Sequence, residues 1–333
     1  MNLANRILRV GYNFLSLPWA TALSDAWLAL KFESLARASK SQLTTSTPKV
    51  TVVIPVYNVE RYLELCLLSV LAQNYPNLAV IAVNDGSTDN SLAILREFQS
   101  RLPLHIVDQN NAGLAAARNA GVDEIDETDY LIFLDSDDAL APGALNALVS
   151  IAEQTRSDFV VGDSTRLKGL TRVKRVDTRE VYAKGTLKSI SLKDHPAVIQ
   201  DVTAWNRLFR FEFYRRHNLR FPDGLYFEDM ALMTKAFALA NKFDVLDRCI
   251  YFWRVRTEGS RSITQQTGDD RKFQDRLFAL KQMKLTLDDA VRNGRATQAN
   301  LDAFASRVRK HDLKLHPDRK AELEVLIEAS LLD

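Results

Sequence analysis

The sequence is poor in cysteine, in net charge and in long apolar runs, and each shortage excludes a class of protein. Only Cys66 and Cys249 occur in 333 residues, which excludes a disulfide framework or a zinc site of several cysteines and favours a reducing, cytoplasmic compartment. A formal net charge of +2 gives no support for general electrostatic binding to nucleic acid. No apolar run is long enough to span a bilayer. The remaining composition, 46% hydrophobic, suits one large globular domain or two smaller ones.

Residues 1–48 are predicted to form an amphipathic helical segment followed by a linker. Polar interruptions and the lack of a small-residue cleavage site argue against a signal peptide. Such a helix more often docks on its own protein than on a membrane surface, and both interpretations stay open for residues 1–30. The polar stretch 39–49 is typical of a linker, so the main domain is predicted to begin near Lys49. The apolar residues at helical spacing are Leu3, Ile7, Val10, Phe14 and Leu17.

From residue 50 onward, short β-branched runs alternate with helical patterns. The run "VTVVIP" precedes "RYLELCLLSVLAQ", and the same succession recurs three times before a fifth strand, "DFVVGD". This alternation predicts an α/β fold with right-handed βαβ units and a mostly parallel sheet flanked by helices. A charged helical region begins at about residue 269. We expect its apolar stripe to pack in the core: Phe273, Leu277, Leu280 and Met283.

The first four predicted strands all end in polar residues. Their ends contain, in order, "PVYN", "NDGSTD", "DQNNAG" and "DSDD". Because ligands bind outside the carboxyl ends of parallel strands, these residues are predicted to share one ligand edge. Turn preferences explain the glycines but explain the carboxylates poorly.

The fourth strand runs directly into Asp135, Asp137 and Asp138. Carboxylates crowded at the end of a buried strand are costly unless a cation, hydrogen bonds or solvent compensates. We predict that Asp135 and Asp137 hold Mg²⁺ or Mn²⁺, ions that prefer oxygen ligands. Two carboxylates cannot complete an octahedral site, so the phosphates of a nucleotide diphosphate and waters are expected to supply the rest. Asp138 could accept a hydrogen bond that supports the metal ligands or cap the helix that follows Pro142, and we favour the cap.

The ordered motifs resemble the family 2 glycosyltransferases of the GT-A fold over about residues 50–262. The matching stretches are "VVIPVYNVERYLELCLLSVLAQ", "VNDGSTDNS", "NNAGLAAARNAG", "FLDSDD", "WNRLF" and "YFEDM". The resemblance implies a GT-A domain over 49–265, with a nucleotide-binding half at 49–162 and an acceptor half at 163–265, followed by a C-terminal helical region at 266–333. It also implies inverting, metal-dependent transfer of a sugar from a nucleotide diphosphate, usually UDP, to an acceptor hydroxyl.

The resemblance assigns donor binding to residues at the strand ends. The Tyr57 ring would stack on the base, which suits a flat aromatic face, and Asp85 would hydrogen-bond the base. Ser87 and Asp89 are expected to shape the turn and cap the next helix. For Arg118 a surface ion pair is the alternative. The complete set of predicted donor-binding residues is Pro55, Tyr57, Asn58, Asp85, Arg118, Asp135 and Asp137.

The resemblance assigns catalysis to the acidic pair in "YFEDM". Asp229 is the predicted base, since one displacement at the anomeric carbon needs the acceptor hydroxyl deprotonated. An acidic pair before a helix can instead complement the helix dipole. The candidates for contacts to the acceptor or donor sugar are Trp205, Glu228, Arg254 and Arg256. The alternative for Trp205 is a place in the core. Arg254 and Arg256 belong to a predicted loop that extends through residues 260–264 and either covers the diphosphate or is simply solvated.

The implied partners are a nucleotide-sugar donor and a glycan, glycopolymer or lipid-linked acceptor of bacterial cell-wall or surface polysaccharide synthesis, and no nucleic acid. The chain lacks the Gln-x-x-Arg-Trp motif of processive synthases, which favours a non-processive enzyme. A peripheral position at the inner face of the membrane and a homo-oligomer both stay open. One rival hypothesis is an inactive sugar-binding scaffold, against which Asp137 and Asp229 argue. The other is a sugar nucleotidyltransferase, which would need a glycine-rich loop where this chain has "PVYNVERY".

Overall fold

The computed structural model describes residues 18–38, 47–168, 171–256 and 270–328, and within them a ten-stranded sheet lies between layers of helices. The elements, in chain order, are α1 Pro18–Ala38, β1 Val50–Val56, α2 Glu60–Leu71, β2 Leu78–Asp85, α3 Ser91–Phe98, β3 Leu104–Gln109, α4 Leu114–Asp123, β4 Tyr130–Phe133, β5 Ala139–Leu140, α5 Ala144–Thr155, β6 Phe159–Lys168, β7 Thr171–Lys174, α6 Arg179–Tyr182, β8 Leu187–Ile190, β9 Arg207–Arg210, α7 Phe211–Arg216, α8 Glu228–Leu239, β10 Phe243–Arg254, α9 Asp270–Arg292, α10 Gln298–Arg307, α11 Leu313–Leu315 and α12 Lys320–Glu328.

The amino-terminal half of the sheet is parallel, as the sequence predicts. Its strands lie in the order β3-β2-β1-β4, and β1 pairs in parallel with both β2 and β4. Val53 of β1 lies opposite Ile81 on one side and Phe133 on the other. All seven residues of β1 are buried, as expected for a central strand covered on both faces.

The other half of the sheet is mixed: the predicted fifth strand, β6, runs in the same direction as β4, but an antiparallel strand that the sequence patterns did not indicate lies between them. The short strand β9 lies antiparallel between β4 and β6, and β6 then pairs in parallel with β10. Because β9 has four residues and an arginine at each end, it lacks the apolar run that marked the other strands. The predicted boundary between residues 162 and 163 falls inside β6. The domain boundaries therefore stay a prediction.

Two apolar layers cover the sheet, one on each face. Alternate residues of β1 enter different layers, with Val53 in one and Val52 and Ile54 in the other, as the period of two in a strand requires. The first layer includes Phe159, which stacks on Phe243 at 5.2 Å between ring centroids. The side chains of the C-terminal stripe are buried in this same layer, which confirms their predicted packing role: Phe273, Leu277, Leu280 and Met283.

The described part of the N-terminal region docks on the protein itself. Leu28 and Phe32 of α1 are buried in the second apolar layer, and Leu35 accepts a hydrogen bond at its backbone oxygen from Asn74. The predicted helix over residues 3–17 and the linker over 39–46 lie outside the described residues. No helix in the described part of the chain combines the length and apolar character needed to cross a membrane.

Replacing Phe159 by alanine should lower the free energy of unfolding by about 3–5 kcal/mol, because a fully buried ring leaves a cavity. The matched control is Phe278→Ala on α9, where the ring is 45% exposed and the change should stay within about 0.5 kcal/mol. Chemical denaturation followed by circular dichroism measures both values. Equal losses in the two variants would contradict the assignment of Phe159 to the core.

Candidate active site

The carboxyl ends of β1 and β2 are joined by polar side chains. Asn58 has a left-handed backbone, with φ of 49°, and its Oδ1 accepts a hydrogen bond from the Thr88 amide at 2.8 Å. The carboxylate of Asp89 accepts from the amides of Glu60 and Ser91, each at 2.9 Å, at the starts of α2 and α3. Asp89 thus binds the first amide of the next helix from the residue before the cap position, which is Asn90. Asn58 therefore links the loop after β1 to the loop after β2.

Asp85, at the end of β2, is buried and fixes the loop that follows β3. One carboxylate oxygen accepts hydrogen bonds from Gln109 Nε2 at 2.7 Å and from the Ala112 amide at 2.8 Å, and the other accepts from the Gly113 amide at 2.9 Å. Tyr57 lies on the same edge of the sheet and is 50% exposed. An exposed ring beside a fixed loop can stack on a flat ligand.

The segment after β4 that contains Asp135, Asp137 and Asp138, called here the acidic segment, is attached to β10. Asp138 is buried, and its two oxygens accept hydrogen bonds from the Arg254 amide at 2.7 Å and from the Tyr251 hydroxyl at 2.8 Å. The same hydroxyl accepts a hydrogen bond from the Asp135 amide at 3.1 Å. Burial raises the pKa of Asp138, and the charges of Asp137 and Asp135 raise it further.

The predicted helix-capping role of Asp138 is therefore wrong. Gly143, with φ of 70°, occupies the cap position of α5, and no side chain caps it. The reason is the pairing of β5 with β10, in which Leu140 lies opposite Tyr251 and draws the preceding residues onto β10 instead of α5.

Arg118 of α4 is buried between two carboxylates from distant parts of the chain. Its Nη2 donates to Asp135 Oδ1 at 2.6 Å, and its Nη1 donates to Glu228 Oε1 at 2.5 Å. Its side chain is 2% exposed, and the guanidinium lies 5.0 Å from the centroid of the Phe221 ring. The neighbouring carboxylates raise the pKa of Arg118 despite its burial. The arginine thus joins the acidic segment after β4 to the acidic pair on α8, and the surface ion pair considered as its alternative role is excluded.

The acidic pair begins α8 directly after a strained residue. Phe227 has φ of 61°, an uncommon conformation for a bulky side chain that persists only where its surroundings enforce it. Glu228 is buried and Asp229 is partly exposed. Burial, and next the charge of Glu228, raise the pKa of Asp229 to about 7. No side chain in the described ranges donates a hydrogen bond to the Asp229 carboxylate.

Two arginines from the end of β10 support the acidic segment from the other side. Arg254 Nε donates to the Asp137 backbone oxygen at 2.8 Å, and its Nη1 pairs with Asp25 of α1 at 2.6 Å. Arg256 Nε donates to Asp137 Oδ2 at 2.7 Å. Both guanidinium groups lie over the Tyr62 ring, at 5.1 and 5.4 Å from its centroid. Arg254 is a buried support and not part of a loop over a diphosphate, while residues 260–264 lie outside the described ranges.

This geometry brings the ends of β1, β2 and β4 and the acidic pair of α8 to one edge of the sheet, and comparison with known proteins gives the family of the chain. The model of the family described as Glycosyl transferase family 2 matches residues 51–218, half of the chain. The chain belongs to glycosyltransferase family 2. Glycosyltransferase GlyA of Streptococcus pneumoniae is 33% identical over 225 residues, which cover 64% of this chain and 31% of GlyA. Glycosyltransferase EpsJ of Bacillus subtilis is 30% identical over 239 residues, 68% of this chain and 67% of EpsJ.

The fold also matches solved glycosyltransferases. The structure of residues 1–349 of Staphylococcus aureus TarS, a poly(ribitol-phosphate) beta-N-acetylglucosaminyltransferase, in complex with UDP-GlcNAc, superposes with a TM-score of 0.69 at 21% identity. The match covers 84% of this chain and 79% of that one. The α/β GT-A architecture expected from the motifs is thereby confirmed, including a C-terminal helical segment.

Trp205 lies in the core of this family 2 glycosyltransferase and not at the wall of a sugar pocket. Its indole is 5% exposed and stacks on Tyr251, with 4.2 Å between ring centroids. The Arg175 guanidinium lies 5.6 Å from the indole ring. The role predicted for Trp205 in contacting the donor sugar or acceptor is corrected accordingly.

The carboxylates of this family 2 glycosyltransferase suit a divalent cation only together with a ligand. In the described ranges, no group of three or more His, Cys, Asp or Glu side chains is arranged to hold a metal ion. Asp135 uses one oxygen for Arg118 and Asp137 uses one for Arg256, so each presents a second oxygen. Such a pair fits Mg²⁺ or Mn²⁺ if donor phosphates and waters complete the shell, as the sequence predicted.

No sequence pattern indicated the residues that hold the acidic segment in place. Tyr251 and Tyr62 stand in ordinary strand and helix patterns, and Asp25 lies in the N-terminal helix, far from every matched motif. The one available signal is indirect. Buried carboxylates require hydrogen-bond donors and buried arginines require an anion, so partners for both were to be expected somewhere in the chain.

Replacing Arg118 by leucine should lower the free energy of unfolding by about 3–5 kcal/mol near neutral pH, because it leaves two carboxylates without their buried partner. The matched control is Arg101→Leu, which removes a more exposed pair with Glu33 and should cost about 1 kcal/mol or less. Chemical denaturation measures both. Similar losses in the two variants would show that the Arg118 bridge is not the stronger interaction.

The raised pKa of Asp229 predicts how the free energy of unfolding depends on pH. Between about pH 4 and pH 7, the folded protein holds a proton on Asp229 that the unfolded chain has released, so this residue lowers stability as the pH rises. At about pH 8, Asp229→Asn should therefore be more stable than the wild type by about 1–2 kcal/mol, an amount discounted for partial exposure. The gain should disappear near pH 4.

Thermal or urea unfolding at a series of pH values tests this expectation. The control is Asp126→Asn at an exposed position, which should leave the pH dependence unchanged. A gain that is the same at pH 4 and pH 8 would mean that titration of Asp229 does not cause it.

Proposed function

We propose that the protein is an inverting, metal-dependent glycosyltransferase that moves a sugar from a UDP-sugar to a hydroxyl group of a bacterial cell-wall or surface glycopolymer. The observation that carries this proposal is the buried Arg118 bridge, which fixes Asp135 of the acidic segment relative to Glu228 of the acidic pair. One rigid link thus holds together the groups that a donor and an attacking hydroxyl would need.

Asp229 is the proposed base. Its carboxylate is partly exposed and has a pKa of about 7, so near neutral pH it can accept a proton and is still substantially ionised. The acceptor hydroxyl becomes acidic only as its bond to the anomeric carbon forms, and a carboxylate placed beside it then takes the proton. One such displacement inverts the anomeric configuration, and no residue on the described site is nominated as a covalent nucleophile by the family motifs.

Asp135 and Asp137 are the proposed metal ligands. Mg²⁺ or Mn²⁺, when bound with the donor, would supply positive charge that stabilises the departing diphosphate. Arg256, which pairs with Asp137, has to share or release that carboxylate when a donor binds. Pro55, Tyr57, Asn58 and Asp85 would form the base and ribose end of the donor site, with the exposed Tyr57 ring stacked on the base.

The nature of the donor and acceptor is supported by the relatives. The TarS structure that shares this fold contains UDP-GlcNAc, which supports a UDP-sugar donor. TarS acts on poly(ribitol-phosphate), which supports a glycopolymer acceptor. The matched region spans about a third of GlyA and under half of TarS. The activity proposed for this chain therefore rests on its own site, and the complete activities of those longer proteins are not transferred to it.

A panel of nucleotide sugars tests the proposal. The purified protein is incubated with each donor and Mn²⁺, with and without glycopolymer acceptors, and the released nucleotide is measured. Release from a UDP-sugar that depends on Mn²⁺ is the expected result. Metal-dependent binding of a donor without release under any condition would instead indicate the sugar-binding scaffold.

Asp229→Asn should bind the donor and metal with wild-type affinity while transfer falls by a factor of about 100 or more, because general-base catalysis contributes on this scale. Isothermal titration calorimetry measures donor binding and nucleotide release measures transfer. Asp126→Asn, at an exposed position, is the matched control and should retain both properties. Normal turnover by Asp229→Asn would refute the assignment of the base.

A further inference from the structure

A concave surface lies beside β10, and its lining includes neither the acidic segment nor the acidic pair; these two groups together are called the carboxylate site below. The concave surface is an open cavity of about 430 Å³. Phe252 and Cys249 of β10 and Pro142, just before α5, form its apolar part. Three exposed cationic side chains also line it: Arg172 and Lys174 of β7, and Arg248 of β10.

Two of the three cations are held in place by neighbouring groups, and none of the three forms an ion pair in the described ranges. The Arg172 guanidinium lies 4.6 Å from the centroid of the Phe252 ring, and Arg248 Nη2 donates to the Pro142 oxygen at 3.3 Å. Within the described ranges, neither these two side chains nor Lys174 forms an ion pair.

The carboxylates near the cavity do not offset this charge fully. Asp177, which follows β7, is already paired with Arg166 and Arg175. Asp163 lies opposite Cys249 in the sheet, but its Oδ1 accepts a hydrogen bond from the Ser164 amide and it forms no ion pair with the cavity cations. Asp247 precedes Arg248 and likewise forms no ion pair in the described structure. Three cations against two unpaired carboxylates leave an excess of positive charge.

The start of α5 adds to this positive potential. The helix has 12 residues, carries no acidic residue in its first turn, and begins directly after Gly143. Arg248 reaches this point, since a Cβ added to Gly143 would lie 3.2 Å from Arg248 Nη2. The positive end of a helix dipole and a fixed guanidinium group both favour a bound anion.

We propose that this cavity is a subsite for a phosphate group of the acceptor, so that the enzyme takes an anionic, phosphodiester-containing glycopolymer. The inference rests on the proposed function and names its substrate class. The forked donors of Arg172 and Arg248 match phosphate oxygens, and the Phe252 ring offers an apolar surface to the neighbouring polyol or sugar unit. A concave cavity of this volume lies in the range of small-molecule sites, which favours a chain segment over a flat membrane surface.

The cavity adjoins the support of the acidic segment along β10. Phe252 is two residues from Arg254, which holds the backbone of Asp137. At a rise of about 3.3 Å per residue, the apolar floor of the cavity lies roughly 7 Å along β10 from that support. A polymer anchored here would therefore be held on the strand that supports Asp137.

Binding of a fluorescently labelled synthetic glycerol phosphate oligomer tests the subsite. The full-length wild type is compared with the triple variant Arg172→Gln, Lys174→Gln, Arg248→Gln. Removing three charged contacts should weaken binding by at least about tenfold, and salt should weaken wild-type binding because these charges are exposed. The matched control is a triple variant that removes the same charge from other exposed positions, and its affinity should stay within about twofold of the wild type. The control substitutions are Lys193→Gln, Lys235→Gln and Lys281→Gln.

Besides unchanged oligomer binding by the cavity variant, three outcomes would overturn the proposal. The first is absence of oligomer binding by the wild type. The second is an equal loss in both triple variants, which would indicate unspecific attraction by net charge. The third is binding to vesicles of anionic phosphatidylglycerol in phosphatidylcholine that the cavity substitutions abolish while oligomer binding persists, which would assign the cations to a membrane.

Nucleotide release without polymer separates this inference from the proposed function. The cavity triple variant should release nucleotide from the donor alone at the wild-type rate, since none of its residues contacts the carboxylate site. If the wild type released nucleotide but the cavity variant bound the oligomer normally, only the subsite would be wrong. If the wild type released none while oligomer binding depended on the three cations, the proposed function would fail and the anion site would stand.

Discussion

The buried charge of Arg118 is the constraint on which the site depends. A guanidinium group that is almost fully removed from water is tolerated only with anionic partners, and here Asp135 and Glu228 provide them from different elements. The same bridge that neutralises the arginine therefore fixes the distance between the end of β4 and the start of α8. Stability and site geometry depend on one interaction, so a change at Arg118 disturbs both.

The acidic segment is held on its other side by β10. Asp138 accepts hydrogen bonds from Tyr251 and the Arg254 amide, and Arg254 continues to Asp25 of α1. Asp138 is thus the carboxylate that anchors the segment, which leaves Asp135 and Asp137 with oxygens directed to other partners. A pair of carboxylates supported from several elements is preorganised for a ligand, because little order has to be created when the ligand binds.

The start of α8 holds two unfavourable features next to each other. Phe227 has a left-handed backbone, and Asp229 is a carboxylate whose burial raises its pKa. Both lower stability, and both persist because the surrounding apolar layer, which includes Phe237 of α8 and Leu280 of α9, is well packed. The C-terminal helices therefore contribute to the site indirectly, by supporting the helix that carries the acidic pair.

The parallel half of the sheet, and the edge at which its polar residues meet, can be predicted from the amino-acid sequence alone. The reason is that β-branched runs, helical periodicity and strand-end residues such as Asp85 and Asp135 are local patterns, and the direction of parallel strands brings their ends together. The partners of the individual strands and side chains become known only from the folded structure. The insertion of β9, the burial of Trp205 and the attachment of Asp138 to β10 all result from pairings between distant segments, as does the Arg118 bridge to a carboxylate 110 residues away. Such pairings follow from which surfaces the whole chain buries together, and no local period records them.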